Sequence, residues 1–323
     1  MMNKRILVTG GAGFIGSNFI RYILRKYPEY EVVNLDKLTY CGNMEDLRDV
    51  QNDPRYSFIK GDIEDAAAVK GAMKDCDAVV NFAAESHVDR SINNPDRFIK
   101  TNVHGTLTLL KTAKNNEISR FLQISTDEVY GSIEKGNFSE ESVLNSRSPY
   151  SASKAGGDLL ALSFYATHKL PVLITRSSNN FGPYQYPEKI IPLFITNALE
   201  GKKLPIYADG MNVRDWLYVL DNCAAIDIVL HKGEIGEIYN VGGDCEITNI
   251  ELTRKILKYM GKSEELIQFV KDRPGHDKRY SLDSSKLKAL GWKPRHDFET
   301  ALRKTINWYK ENRQWWEPLK KKE

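Results

Sequence analysis

The chain has 323 residues, of which 41% are hydrophobic and 28% charged, and a net charge of +3. Its length suits about two domains around a large core, its composition is that of a globular protein, and so small a charge gives no reason to expect nucleic acid or a membrane surface as partner. Cys41, Cys76, Cys223 and Cys245 lie far apart and the six histidines are as scattered, so the expectation is no metal, no disulfide framework and a reducing compartment. The first residues lead into a strand pattern rather than a signal segment, and no apolar run reaches membrane-spanning length, so a cytoplasmic location is expected.

Residues 5–9 are a short apolar run, followed by Gly10-Gly-Ala-Gly13-Phe-Ile-Gly16 and an amphipathic stretch to Tyr27. A strand, a glycine turn and a helix in that order let backbone amides and a helix N-terminus approach a pyrophosphate. A second strand over residues 31–35 ends in Asp36, 20 residues after Gly16. An acid there accepts hydrogen bonds from a ribose diol and repels a phosphate, which favours NAD over NADP, although Lys37 adjoins it. Strands over residues 56–60, 78–82 and 120–125 then alternate with helices over 64–74 and 96–115, the pattern of an α/β fold with a Rossmann-type doubly wound parallel sheet. Gly61-Asp62-Ile63 and Phe82-Ala83-Ala84 fall at strand ends, where an adenine and a nicotinamide ribose would lie. The segment Glu85-Ser86-His87-Val88-Asp89-Arg90 reads equally as a substrate loop or as the capped entry to the next helix.

Ser125-Thr126-Asp127-Glu128 follows the apolar run 121–124, so two adjacent carboxylates sit at a strand's carboxyl end. Such a pair divides acid and base roles only where its surroundings separate the two proton affinities. Downstream, Tyr150 and Lys154 are four residues apart; on a helix starting near Pro149 they share a face, where the cation favours the phenolate. That helix is expected to run to about His168 with Gly156 and Gly157 as a soft spot, before a strand over 171–176. Residues 179–184 are loop chemistry, and 186–200 reads as a helix containing Lys189. Short strands over 204–208 and 214–218, residues 236–241, a helix over 249–260, residues 266–271 and helices over 284–290 and 298–312 follow. No linker marks a boundary, so a dinucleotide-binding domain over 1–176 is expected to be interwoven, through segments near 204–241, with a smaller C-terminal α/β substrate domain over 177–323. Trp315 and Trp316 read as a packed end, and Lys320 to Lys322 as a solvated tail.

The glycine turn, the acid after the second strand and the Tyr-x-x-x-Lys spacing together resemble the extended short-chain dehydrogenase/reductase superfamily. Thr126-Asp127-Glu128 narrows the resemblance to its dTDP-glucose 4,6-dehydratase family, because sugar epimerases of this fold usually carry Ser or Thr there without the acids. The likeness extends over almost the whole chain, through the segments 83–90, 178–185, 212–216 and 272–276; it departs at Ala208, where glycine is common, and in a short loop between Gly131 and Tyr150.

The resemblance implies NAD held by Gly10, Gly13, Phe14, Ile15, Gly16, Asp36, Lys37, Leu38, Thr39, Asp62, Ile63, Phe82, Ala83, Ala84, Thr101, Tyr150 and Lys154. It implies a nucleotide-sugar held by Ser86, Thr126, Asn179, Lys189, Ile190, Pro205, Tyr207, Arg214, Asn249, Arg273 and His276. In the implied reaction Tyr150, lowered in proton affinity by Lys154, takes the proton of the fourth hydroxyl, and Thr126 holds that hydroxyl. Glu128 removes the hydrogen on carbon 5, and Asp127, kept protonated by its acidic neighbour, protonates the departing sixth hydroxyl. A homodimer packed through residues 96–115 and 150–168 is also implied. The other readings are a UDP-sugar epimerase or decarboxylase of the same fold and a non-catalytic NAD-bound sensor.

Overall fold

The computed structural model describes residues 5–320. Twelve strands form among them: β1 (Arg5–Thr9), β2 (Glu31–Asp36), β3 (Tyr56–Lys60), β4 (Ala78–Asn81), β5 (Arg120–Thr126), β6 (Val172–Ser177), β7 (Asn179–Phe181), β8 (Leu204–Tyr207), β9 (Val213–Tyr218), β10 (Ile238–Val241), β11 (Glu246–Thr248) and β12 (Ile267–Val270). Seven make one sheet in the order β10-β6-β5-β4-β1-β2-β3, parallel at every pairing. Parallel neighbours need crossovers, and the helices that supply them cover both faces. Alternation along β1 shows it: Ile6 and Val8 enter one apolar cluster with Phe19, Ile20 and Val229, whereas Leu7 enters the other with Val69, Leu109 and Ala161. Strand order reverses between β1 and β4, and in such a sheet ligands bind beyond the carboxyl ends at that reversal.

β11-β9-β7 and β12-β8 form two small sheets beyond that edge. Residues 179–181, read from sequence as loop, pair as β7 with β9. Residue Ala208 has φ +48°, the left-handed conformation in which glycine is at ease.

Five further readings are corrected. The helix over 96–115 is three pieces, Pro95–Phe98, a π-helical Ile99–Gly105 and Thr106–Asn115; a π turn bonds i to i+5 and is too rare to be expected from sequence. The helix over 186–200 starts at Ile190, with Lys189 an extended N-cap residue, because Tyr186 precedes a proline and is disfavoured in the helical region. Val219–Lys232 is a helix that the sequence pattern conceals, since Asp221, Asn222 and Asp227 are buried among its apolar residues. Each acid is satisfied from afar, Asp221 by the amides of Arg295 and His296 and Asp227 by Lys26 and Tyr27. Lys320 ends the helix Arg313–Lys320 and pairs at 2.6 Å with Glu200 instead of standing in solvent; Lys321 and Lys322 lie outside the described residues. Gly156 and Gly157 do not soften the helix Pro149–His168, which is continuous; a Cβ on Gly157 would sit 2.8 Å from the Asn102 carbonyl, so glycine there permits close packing.

Candidate active site

At the end of β1 the chain turns through Gly10 at φ +67° into the helix Phe14–Lys26. A Cβ on Gly10 would lie 2.6 Å from the Ala83 nitrogen, and one on Gly16 2.5 Å from the Gly10 oxygen. The backbone is therefore bare, and the helix N-terminus, with no side-chain cap on Gly13, faces a cavity of about 230 Å3. Its amides and dipole suit a pyrophosphate. Phe14, Ile15, Thr39, Asp62, Ile63, Phe82, Ala83, Ala84 and Thr101 line the same cavity with Gly10, Gly13, Gly16, Asp36 and Lys37. Leu38 does not; it lines an outer recess beside Tyr40 and Arg90.

Asp36 is fixed at the cavity wall by the amides of Ala12 at 3.0 Å and Leu38 at 2.8 Å. Burial raises its proton affinity and these amides oppose the rise. Lys37 turns to Asp62 at 3.0 Å, so the ammonium beside Asp36 already has an anion.

Ser86, Ser125, Tyr150, Lys154, Gln185, Glu188 and Lys189 line the other end of the cavity. β5 carries Thr126 as its last residue, and Asp127–Tyr130 follows as one 3-10 turn. The Thr126 hydroxyl caps the turn, accepting from the Glu128 amide at 3.3 Å and donating to Asp127 Oδ1 at 3.2 Å. Burial pushes Asp127 well above the usual carboxylate range, with Glu128 the second cause and Asp215 the third. Its acidic neighbour thus adds to a rise that burial dominates, a correction to the order of causes read from sequence. Burial also raises Glu128, but Lys189, Arg273 and Arg214 pull it back. The surroundings of two adjacent acids therefore differ: both are raised by burial, Asp127 well above the carboxylate range with a second acid adding to the rise, Glu128 with three cations opposing it.

Tyr150 and Lys154 lie one turn apart on the helix Pro149–His168, which a capping box at Ser148 starts. Lys154 Nζ donates at 2.6 Å to the Ile124 carbonyl, and burial lowers its pKa to about 8. The Tyr150 phenol is raised by burial and then by Glu128, with the Thr126 side chain opposing the rise. The expected lowering of the phenol is thus not seen at rest, because the ammonium is directed to the strand end and the carboxylates oppose it.

Around this centre Lys189 Nζ donates to the Ser86 carbonyl at 3.0 Å. Arg214 Nη1 and Nη2 donate to the carbonyls of Val213, Lys278 and Asp277, and its guanidinium lies 4.4 Å over Tyr280. Asp89 gathers Tyr207 at 3.3 Å and Arg273 at 3.4 Å, and His276 meets Tyr207 edge-on. Asn179 and Asn249 each have a buried side-chain oxygen without a partner among the described residues. Asn249 opens a helix directly after β11, its amide donating to the Asn212 carbonyl at 3.0 Å; Ile190 opens the helix after Lys189, and Pro205 lies on β8 with Tyr207. Of the residues expected to hold the nucleotide sugar, Ser86 and Lys189 line the cavity, whereas Thr126, Asn179, Ile190, Pro205, Tyr207, Arg214, Asn249, Arg273 and His276 do not.

Two residues that sequence reasoning passed over belong here. Asn102, in the π turn, accepts from the Glu85 amide and donates to the Glu85 carbonyl and to Ser153, clamping the strand-end loop to the helix of Tyr150. Glu188 accepts from Tyr40 at 2.8 Å and Arg90 at 3.1 Å. No spacing marks either residue, since all their partners are distant in sequence. The segment read equally as substrate loop or helix entry does enter a helix, Val88–Asn93, with His87 as its cap, and its Ser86 lines the cavity.

Residues 7–305 match the model of the GDP-mannose 4,6-dehydratase family. The chain is 55% identical to a low-salt glycan biosynthesis protein of Haloferax volcanii, covering 94% of this chain and 98% of that one. It is 51% identical to a dTDP-glucose 4,6-dehydratase of Streptomyces niveus over 98% of this chain and 96% of the relative. A dTDP-glucose 4,6-dehydratase of Streptomyces venezuelae, solved with NAD bound, superposes with a TM-score of 0.96 at 52% identity, covering 98% and 99% of the two chains. Fold, glycine turn and paired acids thus come together in a chain that belongs to the GDP-mannose 4,6-dehydratase family.

Proposed function

We propose that this protein dehydrates dTDP-glucose to dTDP-4-keto-6-deoxyglucose with NAD retained through the cycle. The observation that carries the reading is the Asp127–Glu128 pair, set in one turn beside Tyr150 in surroundings that hold the two protons differently. An epimerase has no hydroxyl to expel and no use for such a pair. The bare glycine turn and Asp36 fit a dinucleotide with a ribose diol. NAD, when bound there, accepts a hydride from carbon 4 and returns it to carbon 6.

The side chains supply the rest. Thr126, whose side chain opposes the rise of the phenol, holds the fourth hydroxyl against Tyr150. Tyr150 takes that proton as phenolate, with the Lys154 ammonium as its counter-charge. The ketone acidifies carbon 5, where Glu128 removes a proton, while Asp127 delivers its own to the leaving hydroxyl on carbon 6. Arg214, Arg273 and Lys189 bring cationic charge suited to a diphosphate, and the Arg214 bonds to backbone leave its Nε–H and one Nη2 hydrogen for two phosphate oxygens. We further propose a homodimer, supported by Ile99 and Leu159, 50% and 58% exposed on neighbouring helical segments, and a cytoplasmic location, which four free cysteines fit.

Glu128→Gln tests the reading. Mixed with dTDP-glucose it should accumulate bound NADH and a 4-keto sugar that keeps its sixth hydroxyl, whereas Tyr150→Phe should give neither. Wild-type product that retains its hydroxymethyl group would leave the epimerase standing.

A further inference from the structure

Directly beneath the site lies a charged network that the mechanism above does not use. Arg176 on β6 and Asp158 on the helix Pro149–His168 are both buried, at 2% and 0% exposure. Arg176 Nε donates to Asp158 Oδ2 at 3.0 Å, and the Ser125 hydroxyl donates to the same oxygen at 2.9 Å. Arg176 Nη1 donates to the Tyr130 phenol at 2.9 Å, which donates to Asn240. Asp158 Oδ1 is buried with no hydrogen-bond partner among the described residues.

A buried carboxylate oxygen without a partner is costly and needs a compensating charge. Arg176 is one; the other is Lys154, four residues before Asp158 and so on the same helix face. The groups around the pair are few. Asp158 feels Arg176 from β6, Lys154 from its own helix and Ser125 from β5, while Tyr150 feels Asp158 together with Glu128 and Asp127 from the 3-10 turn, and Tyr130 bonds to Arg176. One full carboxylate therefore serves two buried cations, of which only the lysine is able to lose its charge.

We propose that Asp158 is a positioning residue for the oxidation step: it is the counter-ion that holds Lys154 as an ammonium, while Arg176 and Ser125 fix its place under the strand that carries the acids. This rests on the reading of Tyr150 and Lys154 given above. The charge on Lys154 favours the phenolate, so without Asp158 the ammonium is lost at lower pH and with it the base. Burial lowers Lys154 to about 8 even with Asp158 as the one group raising it, which leaves no margin near neutral pH.

Asp158→Asn removes the charge and little else. Its carbonyl oxygen takes the place of Oδ2 and accepts from Arg176 and Ser125, and its amide fills the position of Oδ1. The Lys154 ammonium is followed by side-chain NMR of lysine-labelled holoenzyme, with Lys154→Met identifying the resonance. Its titration midpoint should fall by about one pH unit or more in Asp158→Asn. In the Glu128→Gln background, where NADH formation reports oxidation alone, the alkaline limb should move down by the same amount, so that the rate at pH 8 drops roughly tenfold relative to pH 6.5. Arg176→Met leaves Asp158 to Lys154 alone and should move midpoint and limb upward. Unchanged midpoints in folded variants would overturn the proposal, and loss of folding in both would assign the pair to structure alone, overturning it equally. Absence of NADH in the Glu128→Gln parent is a different result, against the dehydratase reading and not against Asp158, since the NMR titration needs no turnover.

Discussion

Asp36 shows how one side chain does two jobs. Its carboxylate joins the glycine turn, through Ala12, to the loop after β2, through Leu38, and presents its remaining lone pairs to the cavity. Asp36→Ala should raise the dissociation constant for NAD by about two orders of magnitude, since two charge-assisted bonds to a diol are lost, and change that for NADP far less. Equal losses in a fluorescence titration would remove Asp36 from cofactor choice. Arg214 is similar: its bonds to three backbone carbonyls mean that Arg214→Ala costs stability, about 1 to 3 kcal/mol for buried acceptors left unpaired, besides raising KM for the nucleotide sugar. Arg214→Lys separates the effects poorly on stability but should keep part of the affinity as a point charge. At this scale the sequence was legible where chemistry needs a residue type at a fixed spacing, as with Gly10, Asp36, Asp127, Tyr150 and Lys154, which the fold does place along one sheet edge. It was silent on orientation. That Lys154 turns to Ile124, and that Lys37 is taken by Asp62, depends on atoms of other elements.

The helix Pro149–His168 illustrates the next scale. It starts abruptly because Ser148 accepts from the Ser151 amide while the Ser151 hydroxyl accepts from the Ser148 amide, with Pro149 already at a helical φ. Ser148→Ala should lower stability in urea by about 0.5 to 2 kcal/mol. Because Tyr150 stands in the first turn, the same variant should lower kcat before it alters the fold; a variant as stable as the wild type would show that tertiary packing holds the turn unaided. Gly157→Ala should cost more, as its Cβ meets the Asn102 carbonyl at 2.8 Å and pushes apart the two segments that Asn102 clamps. Strands and helices with a clean apolar period were readable. The π turn at Ile99–Gly105 and the polar-studded helix Val219–Lys232 were not, since π turns are too rare to be expected from a helical pattern and the second element hides acids whose partners lie up to 205 residues away.

For the molecule as a whole, buried acids set a pH dependence. Asp46, 1% exposed, accepts from Trp315 Nε1 at 2.7 Å and ties the turn Met44–Leu47 to the C-terminal helix. Burial pushes its carboxyl up to about 8. The folded protein then binds this proton more tightly than the unfolded chain, so the stability is fully present below about pH 4 and is lost as pH rises through 8. Each pH unit between those limits removes up to about 1.4 kcal/mol from this group. Asp46→Asn, whose amide oxygen serves Trp315 without a proton, should flatten that slope and overtake the wild type in thermal denaturation near pH 8; parallel curves would show that Asp46 is solvated. Leu159→Glu should yield monomers by sedimentation if the exposed apolar helices pair in the dimer. One further consequence follows from the outermost strand of the main sheet. β10, residues Ile238–Val241, covers the edge of β6, which left the chain some sixty residues earlier. During synthesis β6 therefore emerges with an open flank and stays so until residue 241 clears the ribosome. Throughout that interval the nascent chain carries a fully buried-type strand as its border, the state in which chaperone capture, or pairing with the same strand of a neighbouring nascent chain, competes with folding.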